Sequence, residues 1–232
     1  MAKHPAARRV HREHNEEDVF VSSVLETSVW ARHHGRILAI GGGLLVAAVA
    51  IFAYVRHFNA QAEDRASTEL TIVRQEALSG NTQLAARDLS AFVQKYGKTP
   101  SGDEARLMLA QMYLQSAQPA KAIETIKPLA SNPGKGNGAS AALIMAAGYE
   151  DSKQLDRAEQ TYLSVADKAR FGFEKREALD RAAMLRMSRG NTAGAAELYE
   201  RALKTLPAND EQRTVYEMRI AEVRAAGAKT GS

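Results

Sequence analysis

Residues 190–207 read GNTAGAAELYERALKTLP, and this stretch decides the fold. A turn pair, Gly190-Asn191, is followed by Ala195, Tyr199 and Ala202 at helical spacing, and Pro207 ends the run. The same text returns in degraded form upstream. Gly80-Asn81 stands 110 residues before Gly190-Asn191, and Ala85, Ala122, Ala158 and Ala195 recur at intervals of 37, 36 and 37. Four residues beyond each alanine come Leu89, Ile126, Tyr162 and Tyr199, and three further on Phe92, Leu129, Val165 and Ala202. A small residue followed one turn later by a large one lets two helices cross closely, so each unit reads as a helical hairpin.

The flanking text agrees. Breaks fall at Gly80-Asn81, 97–102, 131–138, Phe171-Gly172, Gly190-Asn191 and Pro207-Ala208. No stretch alternates with period two, so the class is all-α. The predicted architecture is an α-solenoid of about four hairpins over residues 60–226 plus a capping helix. Ser101-Gly102-Asp103-Glu104 reads as a capping box opening the first helix of the second unit, and Asn209-Asp210-Glu211-Gln212 as one opening the last helix. Glu211, Arg213, Glu217 and Arg224 would give that last helix the polar outer face a terminal repeat needs. Residues 227–232 are expected to be a disordered tail. The Gly-rich loop 132–138 could hinge two halves of the stack, but a plain inter-repeat loop is the preferred reading.

Residues 37–55, ILAIGGGLLVAAVAIFAYV, carry no charge over 19 positions. As a helix they span roughly 28 Å, the thickness of a bilayer's hydrocarbon. Ala60-Gln61-Ala62 would suit signal cleavage, but a 36-residue leader and so long an apolar core favour an uncleaved anchor. Lys3, Arg8, Arg9, Arg12, Arg32 and Arg36 precede the span, which favours a cytoplasmic N-terminus and an external C-terminal domain. Within the leader, 1–15 lack the apolar side chains to fold, whereas 16–34 carry Phe20, Val21, Val24 and Leu25 at amphipathic helical spacing. Ala39, Gly43 and Ala47 form a small-residue face suited to packing against another membrane helix.

Chemistry is sparse. There is no cysteine, and all six histidines lie at or before position 57. The trailing domain therefore lacks the commonest general base, the thiol nucleophile and most zinc ligands. His11 and His14, in a tail without supporting groups, do not make a metal site. Net charge is +4, but the 25 basic and 22 acidic residues after the span are interleaved, which argues against nucleic-acid binding. No enzyme activity, metal, cofactor or small-molecule substrate is expected; the partners are expected to be proteins and the membrane lipid.

At the level of motif the chain resembles the tetratricopeptide repeat family, in Leu109, Ala110, Tyr113 and Ala122, then Ala146, Tyr149, Ala158 and Tyr162, then Ala195, Tyr199, Ala202 and Pro207. Arg186 and Glu76 replace the tyrosine of the fourth and first units, the usual tryptophan is missing, and the period exceeds the family's. The resemblance implies a concave binding surface made by Leu107, Gln111 and Leu114, by Leu143, Ala147 and Glu150, and by Asp180, Met184 and Met187. In layout, over residues 16–225, the chain is similar to the YfgM-like family of ancillary Sec translocon subunits. That similarity implies a non-catalytic protein of the bacterial inner membrane with its C-terminal domain in the periplasm, joining the translocon to periplasmic chaperones or exported chains. A scaffold of another envelope assembly system, such as cytochrome c maturation or cell-envelope biogenesis, is the alternative.

Overall fold

In the computed structural model, which describes residues 35–77 and 81–230, nine helices and no strands occur among the described residues. The expected disordered stretch 1–15 and amphipathic helix 16–34 lie outside those residues. Helix α1 is Gly35–Ala77. The helix runs through the expected passage from span to repeats at 55–60, where residues 56–76 contain neither glycine nor proline. Up to Phe58 its residues belong to one compact unit, and from Asn59 to another. In the first unit the apolar stretch from Ala39 onward is unburied, with Leu44, Leu45, Val46 and Phe52 all exposed. It is the one helix among the described residues long and apolar enough to cross a membrane.

The second unit is a stack of hairpins. Its first is the end of α1 with α2 (Thr82–Tyr96). Then come α3 (Pro100–Gln115) with α4 (Pro119–Ala130), α5 (Gly138–Asp151) with α6 (Leu155–Lys168), and α7 (Gly172–Ser188) with α8 (Thr192–Lys204). Helix α9 (Gln212–Thr230) lies on α8 and closes the stack. From α2 onward each helix packs on the next in sequence, and α5 also meets α3 and α7, the first helices of the flanking hairpins. This is the tetratricopeptide-like solenoid that the periodicity predicts.

The alanine column lies at the centre of each hairpin: Ala122, Ala158 and Ala195 are fully buried and Ala85 nearly so. Leu89, Ile126, Tyr162 and Tyr199 are buried one turn later. Buried residues gather in two clusters, one around Leu70, Leu89, Phe92 and Leu109, the other running from Ala110 to Val223.

Turns inside three hairpins use one device. Ala117, Lys153 and Gly190 have φ of 55°, 60° and 76°. Beyond them the N–H of Gln118, Gln154 and Asn191 donates back to the carbonyls of Tyr113, Tyr149 and Arg186 at 2.8, 2.8 and 2.9 Å. This left-handed helix ending satisfies carbonyls that the helix itself leaves free. Only the third turn places a glycine at the left-handed residue, which is why the first two leave no glycine signal in the sequence.

Several helix ends differ from the sequence expectation. The N-cap of α3 is Thr99, not Ser101: its hydroxyl accepts from Gly102 N–H at 3.1 Å, with Pro100 as first helical residue. A residue before proline is held extended, and Thr99 at φ −103°, ψ 157° is already in the cap conformation. Ser101 is instead buried, donating its N–H and hydroxyl to the Glu63 carboxylate at 3.1 and 2.7 Å. At α9, Asp210 accepts from Gln212 N–H at 2.9 Å. Arg213 does not face outward: it donates to the Leu203 and Leu206 carbonyls, and Arg224 pairs with Glu200 of α8. Where a disordered tail is expected from Gly227, the helix runs on to Thr230, carried by Ala225, Ala226 and Ala228. In the 132–138 loop Pro133 is buried, and Lys135 and Gly138 N–H groups bond the Asn132 and Lys135 carbonyls. That is a closed turn.

Two outcomes follow. Tyr199→Ala should destabilise the full chain in detergent by about 3 kcal/mol, through the cavity it leaves, whereas exposed Met218→Ala should stay within about 0.5 kcal/mol; urea unfolding followed by circular dichroism measures both. Burial would raise the Glu63 pKa, but the bonds from Ser101 and Thr99 outweigh it and hold it below the usual carboxylate value. A depressed carboxylate stabilises above its unfolded pKa and loses that contribution as pH falls through the folded one. Glu63→Gln should therefore flatten the acid limb of melting temperature against pH without adding stability at neutral pH.

Candidate protein-binding faces

The nine positions suggested for binding fall in three registers on α3, α5 and α7. In the first, Leu107 and Leu143 are half-buried against the main core, and Asp180 is held by α9. Asp180 Oδ2 accepts from the Tyr216 hydroxyl at 3.1 Å and lies 3.0 Å from the Arg219 guanidinium, which also rides over the rings of Tyr199 and Tyr216. In the second, Gln111 and Met184 are exposed and Ala147 is half-buried. In the third, Leu114 is half-buried against the core, the Glu150 carboxylate helps raise the pKa of buried Tyr162, and Met187 Sδ lies 3.9 Å from the Tyr199 hydroxyl. The structure thus brings Asp180, Met184 and Met187 together on α7, while Leu107, Leu114 and Leu143 are largely spent on packing.

Exposed apolar side chains missing from that set lie beside it. Phe171 and Phe173 are 52% and 60% exposed and stack at 5.6 Å; Met184 is 59% exposed. Phe173, Asp180, Met184, Tyr216 and Arg219 flank an open groove of about 370 Å³ between α7 and α9. Two phenylalanines at the Phe171-Gly172 break were the available signal, since a break placed them at a helix start rather than inside one. In the first unit Ala39, Gly43 and Ala47 are exposed on α1, and nothing approaches Gly43. Among the described residues no cluster of three or more His, Asp or Glu could hold a metal ion.

Burial, the nearby Asp180 charge and the hydrogen bond to Asp180 push the Tyr216 phenol up to about 12. A raised folded pKa stabilises below the unfolded value near 10 and loses that contribution as pH rises toward 12. Ultraviolet titration of tyrosinate should show a late-ionising phenol that Tyr216→Phe removes, and the variant's stability should fall less than the parent's between those two pH values.

Comparisons with known proteins agree with this geometry. Two crystal structures of a putative kinesin light chain with nearly identical TPR-like repeats from Podosopora anserina, one of them a point variant, are similar in fold. They share 18% and 19% sequence identity with this chain at TM-scores of 0.55 and 0.56, covering 72% of it and 89% and 88% of theirs. No curated protein matches the sequence. The tetratricopeptide repeat-like domain family matches residues 28–225, most of the chain, and the protein belongs to that family.

Proposed function

We propose that this protein is a non-catalytic, membrane-anchored interaction scaffold accessory to the Sec translocon. Its N-terminus would lie in the cytoplasm and its repeats in the periplasm, where they meet chaperones or newly exported chains. The observation that carries the reading is the union, in one chain, of an uncharged, unburied apolar helical stretch and a stack of tetratricopeptide-like hairpins. Repeats of this kind imply protein partners in general; the layout shared with the YfgM-like family supports the translocon in particular. On the stack, Phe173, Met184 and Met187 of α7 offer flexible and aromatic apolar groups suited to varied apolar segments, and exposed Gln111 of α3 would add a polar contact. Half-buried Ala147 would belong to the floor of this face. In the bilayer, Ala39, Gly43 and Ala47 would admit a neighbouring helix at close range.

Purification of the full chain from its own membranes in mild detergent, with mass spectrometry of what accompanies it, tests the assignment. Translocon subunits should co-purify and be lost when residues 1–56 are deleted. Subunits of another envelope assembly complex in their place, or no membrane partner, would discard the Sec assignment.

A further inference from the structure

The hairpins meet along seams, and one register position decides how each is filled. It is held by Ala86, Ile123, Glu159 and Ala196, at intervals of 37, 36 and 37. Between hairpins 2 and 3, Ile123 is buried and reaches Gly148 so closely that a Cβ there would lie 2.9 Å from its Cγ1. Between hairpins 3 and 4, Glu159 crosses to Arg186 at 2.7 Å and Arg189 at 3.2 Å. Ala196 is 4% exposed on α8, the helix that α9 covers. Between hairpins 1 and 2 Ala86 is half-buried against the first cluster, its methyl is too short to fill the seam as Ile123 does, and a groove of about 640 Å³ opens between α2 and the α3–α4 turn.

The chemistry of that groove is one-sided. Its lining includes two cations, Arg87 and Lys121, and no carboxylate, in a chain whose charges otherwise alternate. Asp88, beside Arg87 in sequence, lies 3.5 Å from its guanidinium and leaves that side chain 79% exposed. Three amides, Gln83, Gln94 and Gln118, and the hydroxyls of Ser90 and Ser116 supply donors and acceptors, while Ala86 and Ala91 leave room for a backbone to approach. A helical ligand satisfies its own backbone and would leave these amides unmet, whereas an extended chain pairs with them. Tyr113 is the only large apolar ring in the lining, and the Lys121 ammonium lies over it at 5.5 Å, which leaves little platform for a nucleobase.

We propose that this groove is a second binding site, distinct from the α7 face, and that it takes an extended, acidic peptide segment of a partner protein. Amides and hydroxyls pair with the segment's backbone, and Arg87 and Lys121 with its carboxylates. A built-in comparison exists one repeat on: Tyr149, Ser152, Gln154 and Arg157 repeat the constellation of Tyr113, Ser116, Gln118 and Lys121, with Arg157 over Tyr149 at 5.7 Å. There Ile123 fills the seam.

Fluorescence anisotropy on the full chain in detergent, with a short fluorescein-labelled peptide alternating glutamate and serine, tests this. The peptide should bind saturably and more weakly as salt rises. Lys121→Glu should weaken it by about tenfold, Arg157→Glu should leave it unchanged, and Ala86→Leu should abolish it by filling the groove, with thermal unfolding of each variant close to the parent's. No binding of the peptide would overturn the proposal. So would equal binding of a glutamine–serine peptide or an oligothymidine, retention by a folded Ala86→Leu variant, or equal losses from Lys121→Glu and Arg157→Glu. Met184→Ala, on the α7 face, should not change the affinity, so failure here and failure of the scaffold assignment are separate results.

Discussion

The closeness of the helix crossing at Ala85, Ala122, Ala158 and Ala195 is the constraint on which the stack depends. At these positions a side chain larger than a methyl would force the crossing helices apart, since interiors are packed too densely to absorb extra methylenes without strain. With the crossing fixed, the next turn of each second helix can present one large side chain to its hairpin interior: Leu89, Ile126, Tyr162 and Tyr199 all do, and all are buried. The identity of the large residue is free within wide limits. Tyr162 adds a phenol whose pKa is raised by burial first and by the Glu150 carboxylate second. Tyr199 places its hydroxyl by the Met187 sulfur.

Because the crossing is constant, variety moves to the seams. Arg186 shows how a departure from the repeat pattern is absorbed: where two earlier hairpins place Tyr113 and Tyr149, it bonds Glu159 at 2.7 Å and the Gly194 carbonyl at 3.1 Å. Both partners of the Arg186–Glu159 pair are about one-fifth exposed, which places the pair between a surface ion pair and a buried one. Arg189 bonds Glu159 and Asp156 as well, so the seam is tied by a small network rather than a single bond. The first hairpin is held differently, by charged side chains of α1: Glu69 bonds Lys95 and Tyr96 within the hairpin, while Glu63 bonds Ser101 and Arg74 bonds Glu104 on the next.

Periodicity made the hairpins legible, because helix crossing demands a small residue at a fixed interval and the chain supplies one each time. The helix ends were less so. Ala117 and Lys153 adopt left-handed φ only because the returning N–H groups of Gln118 and Gln154 require it. That requirement comes from the hairpin, not from the residues. Thr99 was legible in principle, as the residue before Pro100, but Ser101 with Asp103 and Glu104 imitates a cap two residues later. The binding face was only half legible. Family register picks out Leu107, Leu114 and Leu143 correctly as lying on the first helices, yet whether such a leucine is spent on packing depends on its neighbour across the seam. The Ala86 groove has the same origin: an alanine in a helix carries no signal until Ile123 and Glu159 show what it omits.

Asp180 shows how the fourth hairpin selects the helix that packs on it. In its register hairpins 2 and 3 carry Leu107 and Leu143, apolar groups half-buried against the core. A carboxylate there is costly. Asp180 Oδ1 is buried with no hydrogen-bond partner among the described residues, a loss of about 1–3 kcal/mol for such a group. Its Oδ2 takes both the Tyr216 hydroxyl and the Arg219 guanidinium, and charge-assisted bonds of this kind are the stronger sort. A leucine at 180 could pack beneath any apolar helix, whereas aspartate accepts only one that brings a hydroxyl and a cation one turn apart, and α9 brings Tyr216 and Arg219. An aspartate in place of leucine in this register therefore makes the contact selective for a helix that carries this pair of partners, as α9 does.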